Sequence, residues 1–583
     1  MQPQSVCARL ERVDNSRSRV LTALAFLLGA ALILGGLGQL PLMQPDESRN
    51  AEVAREMKDS GSWLIPTLNG LPYLDKPALY FKTVAVSFAL LGETAMAARL
   101  PSALSGVLLL ALTFAFVRRE YGSRTGALAV TVIAISPLFL AFSRLVIFDM
   151  MLTLFVCGAI VAGYVAEQKQ GRTRVGWYLL GAAASAMATL VKGPVGFVVP
   201  ALVLGVFHAL DRRWDALKRL FAPVNLLVFF GLTLPWLLGV NHRYQDFAYY
   251  GIIEESLHRY TTAEFRRTGP FYYYLPWIVI GLFTWSVLLP ESIVAAWRAR
   301  RRWTMTDRLL IVWTIVVIAF FSVSKSKRPD YVLSVIVTLG VLTARVVALA
   351  LENRDGTPGR LLRRDTAMLA ILCLAGAGWL LATALDPRRL EARIELPSED
   401  TVRLGTTMTH LAIALLIGAV VAAAAWWRRN MRASVAVFIG VPLAVLTLGF
   451  DGVRLYANSR SARALADQIP PLPAHTELAC LECYPIGLSY YRKQLLTVFS
   501  DTGREFTSNY IVFMLKKTNP WPPGVVPLDK RDQWLAARTQ PVLLLARRNA
   551  RNDLKSIARR RGVAVHDLGD DWRGALIPAP VGN

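Results

Sequence analysis

The sequence predicts a polytopic α-helical membrane protein of about thirteen transmembrane helices, followed by a small soluble α/β domain. Three observations predict it. The 583 residues are 54% hydrophobic and only 18% charged, with a mean hydropathy of +0.39. Apolar runs near twenty residues long recur from residue 20 to about residue 450, enough helix at 1.5 Å per residue to cross a hydrocarbon core of roughly 30 Å. After residue 451 the texture changes to short β-type runs (TELACLE, LTVFS, PVLLLAR, VAVHDLG) alternating with polar and helical stretches such as ARNDLKSIARRRG.

Spans are expected at 20–42, 97–117, 123–143, 147–166, 176–192, 194–210, 220–241, 271–296, 308–324, 331–351, 366–385, 408–427 and 433–450. The first run lacks a small-residue cleavage site and is expected to stay as a span. Basic clusters fix the orientation: Arg9, Arg12, Arg17 and Arg19, then Arg118/Arg119/Arg124, Lys169/Arg172/Arg174, Arg212/Arg213/Lys218/Arg219, Arg298 with Arg300 to Arg302, Arg360/Arg363/Arg364 and Arg428/Arg429/Arg432. All fall on the cytoplasmic side if ALYFKTVAVSFALLG, residues 78–92, lies at the interface without crossing. The net charge of +24 therefore reads as topology, and nucleic acid is not an expected partner.

The expected architecture is a membrane domain over 1–450 with a periplasmic loop at 43–96, and a periplasmic α/β domain over 451–583. The far face also receives the turn near 144–147, the loop 242–270 and the turn 324–331. PDESRNAEVAREM, residues 45–57, opens that long loop with six charges in thirteen residues. Pro45 suits a first helical turn, placing Asp46 and Glu47 at the positive end of the helix and Arg49 on the side of Asp46. Acidic residues at a helix start are usually solvated, but other features of this face weigh against that reading here. Asp75-Lys76-Pro77 closes the same loop, Arg144 and Asp149 flank the next turn, and Lys325, Lys327 and Arg328 crowd a third. Ionisable groups at a membrane boundary point to function, and carboxylates among cations suit a phosphate-bearing lipid headgroup.

Tyr73, Tyr80, Tyr272, Tyr273 and Tyr331 lie at predicted boundaries, where amphipathic rings anchor to the interface or line a lipid groove. These motifs fix no cofactor, and a divalent metal is left open. Glu255 and His258, in EESLHRYTTAEF, are the pair able to contribute to a divalent metal site, although histidines in loops are more often polar surface. Cys157 and Cys373 sit in apolar runs as small core residues, and Cys480 and Cys483 form a local structural pair or remain free thiols.

PDESRNAEVAREM, GSWLIPTLNGLPYLDKP, ARLPSALSG, YGSRTGALAVTVIAISPLFLAFSRLVIFDM, LVKGP, GPFYYYLPW and SKSKRPDY follow one another over roughly residues 40–335. In this order they resemble the polyprenyl-phosphate-sugar-dependent membrane glycosyltransferases of fold class C (GT-C), the lipid A aminoarabinose transferases most of all and the protein O-mannosyltransferases more distantly. One departure is Asn50, where relatives often carry an aromatic. The resemblance implies a bacterial inner-membrane enzyme with a periplasmic active site, moving 4-amino-4-deoxy-L-arabinose from undecaprenyl phosphate to a lipid A phosphate and so conferring resistance to polymyxin and other cationic peptides. On that reading Asp46 is the essential carboxylate, Glu47 is secondary and Asp149 lies near the sugar. Arg49, Lys76, Lys325, Lys327 and Arg328 would meet the donor phosphate, with Tyr73, Tyr80 and Tyr331 along the lipid; Asp75, Arg144, Tyr272 and Tyr273 are further candidates. Two rival readings keep the spans. Transfer to a protein hydroxyl would make Asp46 a general base, and a lipid-linked-sugar flippase would not need the acidic motif.

Overall fold

The computed structural model describes residues 3–261, 268–298, 300–386, 398–569 and 571–579. The chain is a multi-pass membrane protein. Among the described residues nine helices are long and apolar enough to cross a bilayer, and eleven spans result if each of two bent helix pairs counts as one. Two further expected spans fall on Ser18–Leu34, the apolar part of the helix Pro3–Leu34, and on the helix Val195–Leu210, apolar stretches of 10–17 residues that are shorter than a full crossing. The expected count of thirteen is therefore not reached by length and composition.

The two bent pairs were each expected as one straight span. Ser123–Ala134 and Pro137–Ser143 meet at 72°. Ser136 is extended at φ −68° and ψ 123°, as the residue before a proline prefers to be. Tyr274–Gly281 and Trp285–Arg298 meet at 116°. The break is fastened by Thr284, whose hydroxyl donates to the Phe438 carbonyl at 2.8 Å, and by Trp285, which stacks on Phe438 at 5.2 Å.

The chain divides into two compact units. The first holds Met1–Leu37, Ser102–Leu234 and His258–Leu455, and carries most of the long apolar helices. Its core is a continuous apolar cluster that includes Ile133, Phe139, Tyr164, Phe207, Trp285 and Ile336. In LVKGPVG, Gly193 ends the helix Gly171–Lys192 at φ 88°. Gly196 then lies so close to the Ala188–Thr189 backbone that a Cβ would stand 2.3 Å from it. Only glycine permits that approach, and it lets the next helix turn back directly.

The second unit holds Gly38–Pro101, Pro235–Leu257 and Tyr456–Asn583, so the loop after the first apolar run groups with the C-terminal segment. Its first helix, α1, is Asp46–Ser60, closed by Gly61 in the left-handed conformation. A two-strand hairpin follows, β1 at Thr67–Leu68 and β2 at Leu71–Pro72, turning on Asn69 and Gly70 at φ 55° and 74°. The buried Glu56 carboxylate holds that turn, accepting from the Thr67 hydroxyl (2.6 Å) and the Asn69 and Gly70 N–H groups (2.5 and 3.0 Å). Helix α2, Leu79–Leu91, is the segment expected not to cross; its thirteen residues are too few to span a bilayer.

The C-terminal segment forms a six-stranded mixed sheet: β3 Glu477–Leu481, β4 Leu496–Ser500, β5 Val525–Pro527, β6 Val542–Ala546, β7 His566–Asp567 and β8 Arg573–Ile577. The order is β5-β4-β3-β6-β8-β7, with β5, β4, β3 and β6 parallel and β8 antiparallel to both β6 and β7. The helix Arg551–Arg561 buries Leu554, Ile557 and Ala558 in the sheet's apolar core. Cys480 and Cys483 both carry free thiols. Burial, with Cys483 beside it, pushes the Cys480 thiol well above its ordinary range.

Candidate active site

Two polar clusters stand out, one in each unit. In the second unit the cis-preceded Pro45 opens α1, and Asp46 and Glu47 occupy its first turn. These adjacent carboxylates have opposite environments. Glu47 is 4% exposed and bound by Arg99 through two bonds of 2.8 Å, while it also accepts the Met43 N–H at 3.1 Å. Asp46 keeps 32% of its side chain exposed and pairs with Arg49 one turn on. Of the two, only Asp46 can reach a substrate.

Arg49 is 11% exposed, lies over the Tyr73 ring at 5.8 Å, and donates from Nη1 to the Thr507 hydroxyl (2.8 Å) and carbonyl (3.3 Å). Its Nε is buried and has no hydrogen-bond partner among the described residues. Burial works against the charge, but the Asp46 and Asp75 carboxylates raise the guanidinium above its ordinary range, so it stays a cation. Lys76 pairs with Glu255 and donates to the Asp75 carbonyl at 2.7 Å. One Asp75 oxygen accepts both the Tyr250 hydroxyl (2.6 Å) and the Tyr510 N–H (2.9 Å). Burial raises the Tyr73 and Tyr250 hydroxyls, and neighbouring carboxylates add to this. Both phenols are therefore neutral, and that of Tyr250 donates to Asp75. Tyr80 is fully buried, edge-on to Phe81 at 6.1 Å.

The first unit holds the other cluster. Lys192 bridges Asp149 and Asp330, the latter at 2.9 Å, and Arg328 Nε donates to the second oxygen of Asp330 at 2.8 Å. The Lys192 ammonium also lies over the Phe148 ring (5.3 Å) and the Tyr331 ring (4.8 Å). Two carboxylates and two cations thus balance in a pocket where both acids are 1% exposed. The other expected cations of this face are engaged with backbone. Lys327 donates to the Ser322 and Ser324 carbonyls, and burial, with Lys325 near, lowers its ammonium below the ordinary range. Arg144 Nη1 donates to the Leu32 and Ile33 carbonyls (2.5 and 3.2 Å), closing the end of the first helix. Tyr273 packs on Tyr274 and Trp277, and Tyr272 is about half exposed beside Phe271.

Among the described residues no group of three or more His, Cys, Asp or Glu side chains has the arrangement of a metal site. Glu255, half of the expected pair, is bound to Lys76 and to the Asn509 amide at 3.2 Å. A metal would have to displace a cation from it.

Several participants escaped the sequence reading: Arg99, Tyr250, Thr507, Asn509 and Tyr510 in the second unit, and Lys192 and Asp330 in the first. Lys192 carried a usable signal, a lysine closing an apolar run. The residues 507–510 carried none, since their partners lie hundreds of positions away.

Residues 75–238 match the family model described as dolichyl-phosphate-mannose-protein mannosyltransferase. Among curated proteins, the undecaprenyl phosphate-alpha-4-amino-4-deoxy-L-arabinose arabinosyl transferase of Aeromonas hydrophila is 33% identical over 323 residues, 55% of this chain and 58% of the relative. Its namesake from Edwardsiella ictaluri is 30% identical over 361 residues, 61% of this chain and 64% of the relative. The chain thus spans about three fifths of the length of these relatives. Among solved structures, the crystal structure of ArnT from Cupriavidus metallidurans bound to undecaprenyl phosphate superimposes with a TM-score of 0.79 at 25% identity, over 96% of this chain and 98% of that one. Its apo form gives 0.77 at 24% identity, over 98% and 99%.

Proposed function

We propose that this chain is a GT-C membrane glycosyltransferase and that it transfers 4-amino-4-deoxy-L-arabinose from undecaprenyl phosphate to a phosphate of lipid A, at the periplasmic face of the bacterial inner membrane. The observation that carries this reading is the division of labour between the two acids that open α1. Glu47 is buried on Arg99, whereas Asp46 is accessible and flanked by Arg49, whose Nε has no partner among the described residues. The names of the curated relatives and the undecaprenyl phosphate in the ArnT structure support the donor.

The chemistry follows from charge. As the bond between the anomeric carbon and the donor oxygen breaks, the lipid phosphate gains negative charge and the sugar ring becomes oxocarbenium-like. Arg49 and Lys76 are the cations that would meet the leaving phosphate, and the Asp46 carboxylate would stabilise positive charge at the ring. A lipid A phosphate monoester, with a second pKa of about 6, is already an anionic nucleophile at neutral pH. It needs no general base, and a single displacement with inversion is the simplest course. A cationic sugar on lipid A would then reduce the attraction of the outer leaflet for polymyxin and similar cationic peptides.

The test is mass spectrometry of lipid A from cells that make the donor lipid but lack their own transferase, carrying this protein or Asp46→Ala. A mass gain of one aminopentose that vanishes in the variant is expected. Unchanged lipid A with folded, membrane-inserted protein would overturn the reading. The family model over residues 75–238 favours a second one, transfer to a protein hydroxyl with Asp46 as base. New glycosylation of periplasmic proteins in the same cells would select it.

A further inference from the structure

We propose that residues 507–510 of the C-terminal segment are a positioning element of the active site, fixing Arg49 and Asp75 directly and Lys76 through its partner Glu255; the inference rests on the reading above. Thr507 carries the argument. It is β-branched yet sits at φ 52° and ψ 29°, in the left-handed region that such side chains avoid. A turn needed only to reverse the chain would be met by glycine or asparagine. At Thr507 this backbone instead brings two oxygens of one residue, hydroxyl and carbonyl, onto the same Arg49 nitrogen at 2.8 and 3.3 Å. Strained conformations of this kind persist where surrounding structure and function over-determine them.

The next three residues extend the same pattern. The Ser508 hydroxyl accepts the Ile511 N–H at 3.2 Å and so begins α3, Asn509–Leu515. A first-turn N–H has no partner within its own helix, and that of Tyr510 donates instead to Asp75 at 2.9 Å. Between them, the Asn509 amide donates at 3.2 Å to Glu255, the carboxylate that holds Lys76. One short turn therefore reaches Arg49, Asp75 and the partner of Lys76, across 458, 435 and 254 positions of sequence. It touches one of the two cations assigned to the donor phosphate, Arg49, and the partner of the other, Lys76, while contributing no charge of its own. If the turn moves, those cations move with it.

Because the cations act on charge that grows in the transition state, loosening one should lower kcat more than it changes acceptor KM. The experiment uses the full-length protein in nanodiscs, with undecaprenyl-phosphate-linked aminoarabinose as donor and lipid A as acceptor. Parent, Thr507→Gly, Thr507→Ser and Asn509→Ala are compared for kcat, for acceptor KM and in thermal melting. Glycine adopts the left-handed backbone freely but lacks the hydroxyl. The expected result for Thr507→Gly is a melting temperature equal to or above the parent's, with kcat lower by on the order of tenfold and acceptor KM within about twofold. Thr507→Ser keeps the hydroxyl and should stay within about twofold of the parent in kcat. Parent-like kcat in both Thr507→Gly and Asn509→Ala, or a loss that tracks lowered melting, overturns the proposal. A well-folded parent that transfers no sugar overturns the functional reading first, and this proposal falls with it.

Discussion

Arg99 grips Glu47 through two parallel bonds, Nε to Oε1 and Nη2 to Oε2, both 2.8 Å long, across 52 positions of sequence. The same guanidinium donates to the Leu40 and Pro41 carbonyls at 2.8 and 2.9 Å, so it ties the chain entering α1 to the helix itself. Both side chains are 3–4% exposed, where removing one charge strands the other away from water. Arg99→Leu is expected to cost about 3–5 kcal/mol, and the double variant Glu47→Leu/Arg99→Leu to recover part of that. Thermal unfolding of the solubilised protein measures both; a double variant no better than Arg99→Leu would contradict the pairing.

The neighbouring acid should behave in the opposite way. Asp46 is a third exposed and its ion pair with Arg49 is one turn long, so Asp46→Asn should change stability by no more than about 1 kcal/mol. Its loss of charge beside the developing oxocarbenium should lower turnover by about 10²–10³. Glu47→Gln should instead reduce the yield of folded protein, leaving the turnover of the folded fraction within a few-fold of the parent. Activity normalised to the folded fraction separates the two residues, and equal losses in both would remove the distinction drawn here.

In the first unit, Lys192 is the common partner of two buried acids. Lys192→Met leaves Asp149 and Asp330 facing one another, with Arg328 the cation that remains on them among the described residues. A loss of about 3–5 kcal/mol is expected from the stranded charge. Adding Asp330→Asn removes one of the two acids and should restore part of the folded yield. Recovery of monodisperse protein after extraction reports this, and the absence of any rescue would mean that Lys192 acts through packing on Phe148 and Tyr331.

What was legible in the sequence was local. Asp46 and Arg49 are one helical turn apart, and their pairing follows from spacing alone. The strands β3, β4 and β6 were signalled by short apolar runs of strand length. The unread strands had weak patterns: β5 is three residues ending in proline, and β8 reads Arg-Gly-Ala-Leu-Ile, neither alternating nor rich in β-branched residues. The straight spans expected at 123–143 and 271–296 ran through their breaks because hydropathy averages over a bend; at the first, Ser136-Pro137 was the available signal. Lys327 and Arg144 looked like free cations because a sequence does not display the backbone carbonyls that receive them. Lys192 reaches partners 43 and 138 positions away, a relationship no local pattern encodes.

Glu52, one turn beyond Ser48 on α1, offers a test by pH. It is 1% exposed, and Arg55 binds both of its oxygens, at 2.8 and 2.6 Å. Burial pushes its carboxyl up from 4.5 to about 7, with Arg55 opposing the rise. A folded state with the higher pKa holds its proton more tightly than the unfolded chain. The stability contributed by this group is therefore fully present below about pH 4.5 and is lost as pH rises through about 7, by at most about 3 kcal/mol. Glu52→Gln does not titrate, so melting temperatures of parent and variant should diverge between pH 5 and pH 8, with the variant gaining on the parent as pH rises. A constant difference across that window would mean that Arg55 keeps the carboxylate ionised throughout, and that the Glu52–Arg55 pair is a permanent strut of α1.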